Sequence, residues 1–343
     1  MTRYLGALIL ATACSWLVTP HMGRIALSRG IVDRPRGRHI HAEPIPFLGG
    51  VAMYVAFFLA TVVFGRPDRN TIGLLAGGAF AVALGVADDK WELRPRKKLM
   101  GQIVAAVIVM LFGVKIEFVT NPLGGMIYLG ALSIPITLVW VVAFMNVVNF
   151  IDGLDGLAAG VSAIGSIAMA LAALEGGQSR LVVLSMALAG SALGFLRHNF
   201  HPARIFMGDA GAMFLGFTIA GISAIGALKT PATLVLAVPV IVMGVPVLDT
   251  AFAIFRRVRR GVPVSSSDRD HVHHRLLAMG MTQRQAVLTL YTVSALLAAT
   301  ACGVAAVNPL LGIGGTVTAF CALIIVGGKS GILKSDIRRR DRD

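Results

Sequence analysis

Five short clusters of acids, amides, histidines and arginines carry whatever chemistry this chain performs. The first is Asp88-Asp89, which closes the apolar run at Gly85-Val-Ala-Asp-Asp-Lys. Adjacent carboxylates repel one another, and a carboxylate at a helix C-terminus opposes the helix dipole. A cation resolves both conflicts, either a metal ion or the Arg96-Lys97-Lys98 cluster that follows; a solvated helix end is the plainer alternative. In the second cluster Asn149, Asp152 and Asp155 recur every three residues beside Gly153 and Gly156. The link that holds them is too short to supply a basic partner of its own. A charge left at bilayer depth costs about 2.5–3.5 kcal/mol on insertion scales, so these groups require cations or hydrogen-bonding ligands.

Asp209, in Phe206-Met-Gly-Asp-Ala-Gly, reads either as a helix N-cap or as a ligand for a hard metal. On the second reading the glycines let a phosphate approach the backbone. The fourth cluster, Asp268-Arg-Asp-His-Val-His-His-Arg, holds His271, His273, His274 and Arg275. Zinc is one reading of it. Carboxylates and asparagines dominate the other clusters, which favours Mg²⁺ or Mn²⁺ and leaves these side chains as donors to a nucleotide pyrophosphate. The fifth lies in the stretch from Asp33 to Gly50, where arginines and histidines, Arg38 and His41 among them, are framed by prolines. Such groups grip phosphate oxygens; membrane topology alone also accounts for their charge. Carboxylates for a divalent metal, cations for phosphate and an apolar frame together indicate phosphoryl transfer from a soluble nucleotide to a lipid.

The frame is legible from composition. Of 343 residues 56% are hydrophobic and 14% charged, against about 25% charged in an ordinary soluble domain. Mean hydropathy is +0.79. This describes an all-α polytopic membrane protein and excludes a disordered chain or a disulfide scaffold. Cys14, Cys302 and Cys321 lie in apolar runs without ligand spacing. The pI near 10.7 reflects membrane topology and not a nucleic-acid partner. Apolar runs give eleven candidate spans, the first of them a retained anchor without a cleavage site. Span 9 should be bent, because it carries Pro239, Gly244, Pro246 and Asp249. The segment from Ile116 to Pro135 reads as a small external β-hairpin.

Of the 31 lysines and arginines, 25 fall on alternate loops and the C-terminal tail, which assigns that side to the cytoplasm. All eight histidines lie there too. One loaded face and one inert face oppose a transporter or flippase, which needs polar groups at mid-depth or on both sides. The expected organisation is one catalytic membrane domain over 1–328 and a charged tail over 329–343. Loops 20–46, 88–98, 150–155, 197–210 and 256–285 would build the site.

In their order along the chain and in combination the clusters resemble the polyprenyl-phosphate N-acetylhexosamine-1-phosphate transferases, over essentially the whole stretch from Asp33 to Arg275. The resemblance implies that a sugar-1-phosphate passes from a UDP-sugar to undecaprenyl or decaprenyl phosphate at the cytoplasmic face of a bacterial plasma membrane, releasing UMP. It implies a bundle of ten or eleven spans and Mg²⁺ as cofactor, with Mn²⁺ as the alternative. It makes Asp209 the principal metal ligand, with Asp152 and Asp155, and Asp88 the proposed base beside Asp89 and His271 as catalytic groups. Lys98, Asn149, Asn199, Arg38, His41, His273, His274 and Arg275 would bind substrate. His271-Val-His-His-Arg275, in place of three consecutive histidines, resembles the GlcNAc-1-phosphate branch, so the expected donor is UDP-GlcNAc. The phospho-MurNAc-pentapeptide transferase is the alternative. A monomer and a homodimer are both compatible with the sequence.

Overall fold

The computed structural model describes residues 1–33, 44–120, 125–227, 233–244, 247, 249 and 272–307. Helix dominates, because a backbone surrounded by hydrocarbon must satisfy its polar groups internally. The helices are α1 (Thr2–Arg29), α2 (Gly49–Gly65), α3 (Arg69–Trp91), α4 (Pro95–Leu111), α5 (Ser133–Ile151), α6 (Leu157–Glu175) and α7 (Ser179–Asn199). They continue with α8 (Gly208–Ala227), α9 (Thr233–Val242), α10 (Val272–Ala278) and α11 (Gln283–Val307). Seven of them, α1, α3, α5, α6, α7, α8 and α11, contain stretches long and apolar enough to cross a bilayer. α2 is apolar and shorter, at 17 residues. The chain is therefore an all-α, multi-pass membrane protein.

Two short antiparallel pairs complete the architecture. β1 (Val32–Asp33) pairs with β2 (Ile45–Pro46), and β3 (Phe118–Thr120) with β4 (Met126–Tyr128). The second pair falls in the segment read as a hairpin. α9 contains Pro239 and ends at Val242. Most of the rest of span 9, the eleventh span and the charged tail lie outside the described residues.

α8 is the axis of the bundle. Every residue from Ala210 to Ala227 is buried, and only Asp209 at its start retains exposure. Helices can close around a central partner when the contact residues are small, because dispersion and not water drives association in lipid. Gly50 of α2 and Gly85 of α3 both press on the first turn of α8. A Cβ on Gly50 would lie 2.1 Å from the Gly211 nitrogen, and one on Gly85 would lie 2.2 Å from the Ala210 Cα. The large apolar side chains left exposed, such as Ile9, Leu17, Val63 and Val139, sit on outer helix faces. They would be an aggregation hazard in water and are the lipid face in a bilayer.

Among the described residues, alternating helices bring the acids of α3, of the α5–α6 turn and of α8 to one end. α3 and α5 finish there, and α4, α6 and α8 begin there. At the other end Asp68 caps α3, accepting from the Thr71 N–H at 3.0 Å and the Thr71 hydroxyl at 2.7 Å, and it pairs with Arg180. Burial raises the Asp68 carboxyl, but the two Thr71 bonds and the Arg180 charge outweigh it and hold the group below the usual range.

Candidate active site

The first turn of α8 sets the geometry of the site. Gly208 has φ +68°, and a Cβ there would lie 2.4 Å from Asp89 Oδ2. The room left by the missing Cβ lets Asp89 reach over from the end of α3. It accepts from the Asp209 N–H at 2.7 Å and the Ala210 N–H at 3.3 Å. A carboxylate on the free N–H groups of a helix start is favourable both as a hydrogen-bond acceptor and through the dipole. The cap of α8 is thus Asp89, supplied from another helix, and not Asp209. Asp89 was expected among the catalytic groups. In the structure both its oxygens accept from backbone amides at the start of α8.

Freed from capping, Asp209 turns its carboxylate to side chains. Its Oδ1 accepts from the Lys98 ammonium at 2.7 Å and from the Asn149 amide. Lys98 also lies 2.8 Å from Asp88 Oδ2. The other Asp88 oxygen accepts from the Leu93 N–H at 2.8 Å, in the turn between α3 and α4. Lys98 is therefore the cation that the adjacent pair demanded, for Asp88; the amides of α8 serve Asp89.

Asp152 caps the C-terminus of α5. Among the described residues it has no hydrogen-bond partner. Burial, and then the charges of Asp209, Asp89 and Asp155, push its carboxyl up to about 8. Asp155, three residues on, was expected as a metal ligand. In the structure its Oδ2 is held by His201 Nδ1 at 2.8 Å and by the Ala203 N–H at 3.1 Å. The reason is topological: the chain turns at Gly156, φ +80°, and carries Asp155 under the α7–α8 loop.

Asn199, expected to bind substrate, is 2% exposed. Its carbonyl accepts from the Gly156 N–H at 3.0 Å, and its amide donates to the Ile205 carbonyl at 2.9 Å. These two bonds join the aspartate turn to the segment leading into α8. Sequence reasoning missed two residues here. His201 falls in the loop 197–210 expected to help build the site, without an assigned role. Tyr291 of α11 gave no signal at all; its hydroxyl donates to the Gly156 carbonyl at 2.5 Å. The flank of the fifth cluster also reaches the site: the Gly49 and Gly50 N–H groups donate to the Phe206 and Met207 carbonyls at 3.1 and 3.0 Å, and the Phe206 N–H donates to the Pro46 carbonyl at 2.9 Å. Arg38, His41 and His271 lie outside the described residues, as does the side chain of His273. His274 and Arg275 are in α10, His274 exposed and Arg275 half-buried.

Among the described residues no three carboxylate, imidazole or thiol groups converge at metal-ligating geometry. The donor set nevertheless suits a hard divalent cation. Asp209 and Asp152 offer oxygen ligands, and among the described residues Asp152 lacks a hydrogen-bond partner and Lys98 is the one cation paired with both Asp88 and Asp209.

A multi-pass α-helical bundle with an acid–lysine–amide site at one end defines a class of membrane enzyme, and sequence comparison identifies it. Residues 71–227, from the first turn of α3 to the end of α8, match the model of glycosyl transferase family 4. A probable undecaprenyl-phosphate N-acetylglucosaminyl 1-phosphate transferase of Bacillus subtilis is 39% identical over 85% of this chain and 82% of its own. The chain belongs to glycosyl transferase family 4. It is also 35% identical to a decaprenyl-phosphate N-acetylglucosaminephosphotransferase of Mycobacterium leprae, over 97% of this chain and 90% of that one. An undecaprenyl-phosphate alpha-N-acetylglucosaminyl 1-phosphate transferase of Escherichia coli is 30% identical over 80% and 77%.

Proposed function

We propose that the protein transfers N-acetylglucosamine-1-phosphate from UDP-GlcNAc to a polyprenyl phosphate, releasing UMP and leaving a polyprenyl-pyrophosphoryl sugar. The observation that carries this reading is the convergence of Asp88, Lys98, Asn149 and Asp209 at one end of a membrane bundle. The names of the three relatives support N-acetylglucosamine over the pentapeptide donor. The basic-residue bias supports a cytoplasmic site in an eleven-span protein, with the β3–β4 pair outside.

In this reaction an oxygen of the lipid phosphate attacks the sugar-bearing phosphorus of the donor. The bond from that phosphorus to the bridging oxygen breaks, and UMP leaves with the electron pair. One pyrophosphate replaces another, so the enzyme must supply placement and charge neutralisation more than driving force. Lys98 and the Asn149 amide are the donors at hand for phosphate oxygens. Asp88 has one oxygen on a backbone amide and one on Lys98, so it orients the lysine. We assign Mg²⁺ to Asp209 and Asp152, where a divalent cation would neutralise charge on the pyrophosphate.

The test is a competition assay with purified protein, polyprenyl phosphate, and equal labelled UDP-GlcNAc and UDP-MurNAc-pentapeptide. Label from UDP-GlcNAc in the lipid fraction is the expected result. Preference for the pentapeptide donor would overturn the donor assignment, and no lipid product from either would overturn the reaction.

A further inference from the structure

One turn further from the helix ends than Lys98 and Asn149, two carboxamides meet between α4 and α5. Asn146 Nδ2 donates to Gln102 Oε1 at 2.9 Å, and Gln102 Nε2 donates back to Asn146 Oδ1 at 3.4 Å. Asn146 Nδ2 also donates to the Val142 carbonyl at 2.8 Å, which fixes its rotamer along its own helix. Gln102 is 1% exposed. Neither residue touches Asp209 or is needed to neutralise it.

Their place in the two helices is what gives them a task. Gln102 is four residues after Lys98 on α4, and Asn146 three before Asn149 on α5, so each shares a helix face with a group that reaches Asp209. Lys98 and Asn149 converge on one oxygen, Asp209 Oδ1. That convergence requires α4 and α5 to keep both their separation and their axial register. Apolar contacts between helices in lipid are non-directional and tolerate sliding, whereas a reciprocal amide pair has one distance and one register. Breaking it would leave a buried carboxamide without its partner.

We infer that Gln102 and Asn146 are a positioning pair for the transfer reaction: they lock α4 to α5 so that Lys98 and Asn149 meet at Asp209. The inference rests on the reading of the site given above. Displacing a reacting group by about 1 Å costs up to about a hundredfold in rate. Moving one methylene across the pair tests this. Gln102→Asn shortens one arm and Asn146→Gln lengthens the other, while the double variant keeps the combined length.

Each single variant, purified folded, should lose about tenfold in kcat and change KM for either substrate by less than about twofold. The double exchange should return kcat to within about threefold of the unaltered protein. Thermal unfolding is followed in parallel. Unchanged kcat in Gln102→Asn would overturn the proposal, as would single-variant losses that follow melting temperature and are not restored by the exchange. If the single variants do not insert, the double variant decides, because a folded double variant with kcat down by about tenfold or more contradicts the pair's role. An unaltered protein that transfers no sugar-1-phosphate would instead reject the reaction itself, so the two failures are distinguishable.

Discussion

Asp88 separates two chemistries that look alike on paper. A base that deprotonates the lipid phosphate matters most at low pH, where the acceptor is a monoanion. The second pKa of a phosphate monoester is about 6, so above that the acceptor supplies its own dianion. In the structure Asp88 is bonded to the Leu93 amide and Lys98, which is the geometry of an orienting group. Asp88→Asn should therefore lose activity by a similar factor from about pH 6 to about pH 9. A deficit that vanishes toward high pH, measured as kcat/KM across that range, would restore the base. Asp152 makes a second residue-level prediction. Its folded pKa, about 8, lies above the usual carboxylate value, which is about 4 in an unfolded chain. The unfolded state then loses its proton first, so the contribution of this group to stability is intact below about pH 4 and falls as pH rises to about 8. A bound divalent cation removes that penalty. Mg²⁺ should thus raise the melting temperature more at pH 8 than at pH 6, and Asp152→Asn should lose most of this difference. An equal gain at both pH values would place the cation away from Asp152.

The helix most dependent on a borrowed group is α8, whose N-terminal amides are satisfied from α3 by Asp89. Removing that carboxylate leaves orphan amides at the buried start of the central helix. Asp89→Ala should cost about 1–2 kcal/mol in denaturant unfolding of detergent-solubilised protein. Asp88→Ala removes a bond to a turn amide and should cost less. Activity should fall in Asp89→Ala as well, because Asp209 is in the turn that the cap holds. A neutral stability effect would show that water satisfies these amides. The same logic explains Gly208: its missing Cβ is where the Asp89 carboxylate sits, 2.4 Å from the position a Cβ would take.

For the molecule as a whole, the decisive matter is which end faces the nucleotide pool. The acidic clusters share one end of the bundle, and Asp68 with Arg180 marks the other. Cysteine substitutions read the orientation directly. Ser179 at the head of α7 and Arg96 at the head of α4 are both exposed, at opposite ends. Ser179→Cys should react with a membrane-impermeant thiol reagent in intact cells, and Arg96→Cys only after permeabilisation. The opposite pattern would put the site on the external face, away from any cytoplasmic UDP-sugar.

The membrane class, the helical architecture and the family were legible in the sequence. Hydropathy depends on each residue's transfer from water, and a run of such residues needs no knowledge of its neighbours in space. The motifs carried the family for a similar reason, because their residue types and spacing are local. Which partner each acid holds was decided by packing. Asp88 and Asp89 are adjacent in the chain, yet one faces Lys98 and the other caps a helix 120 residues away. Asp155 resembles Asp152 in the sequence, but the turn at Gly156 places it against His201. Tyr291 and Gln102 are ordinary helix residues until α11 and α4 dock against the turn and α5. A carboxylate or amide takes whichever partner the assembled helices bring within about 3 Å, and that depends on close approaches such as Gly50 and Gly85 against α8, between residues far apart in the chain. The tertiary structure alone decides those contacts, because hydrogen bonds are short and directional while the sequence pattern fixes only which face of each helix is apolar.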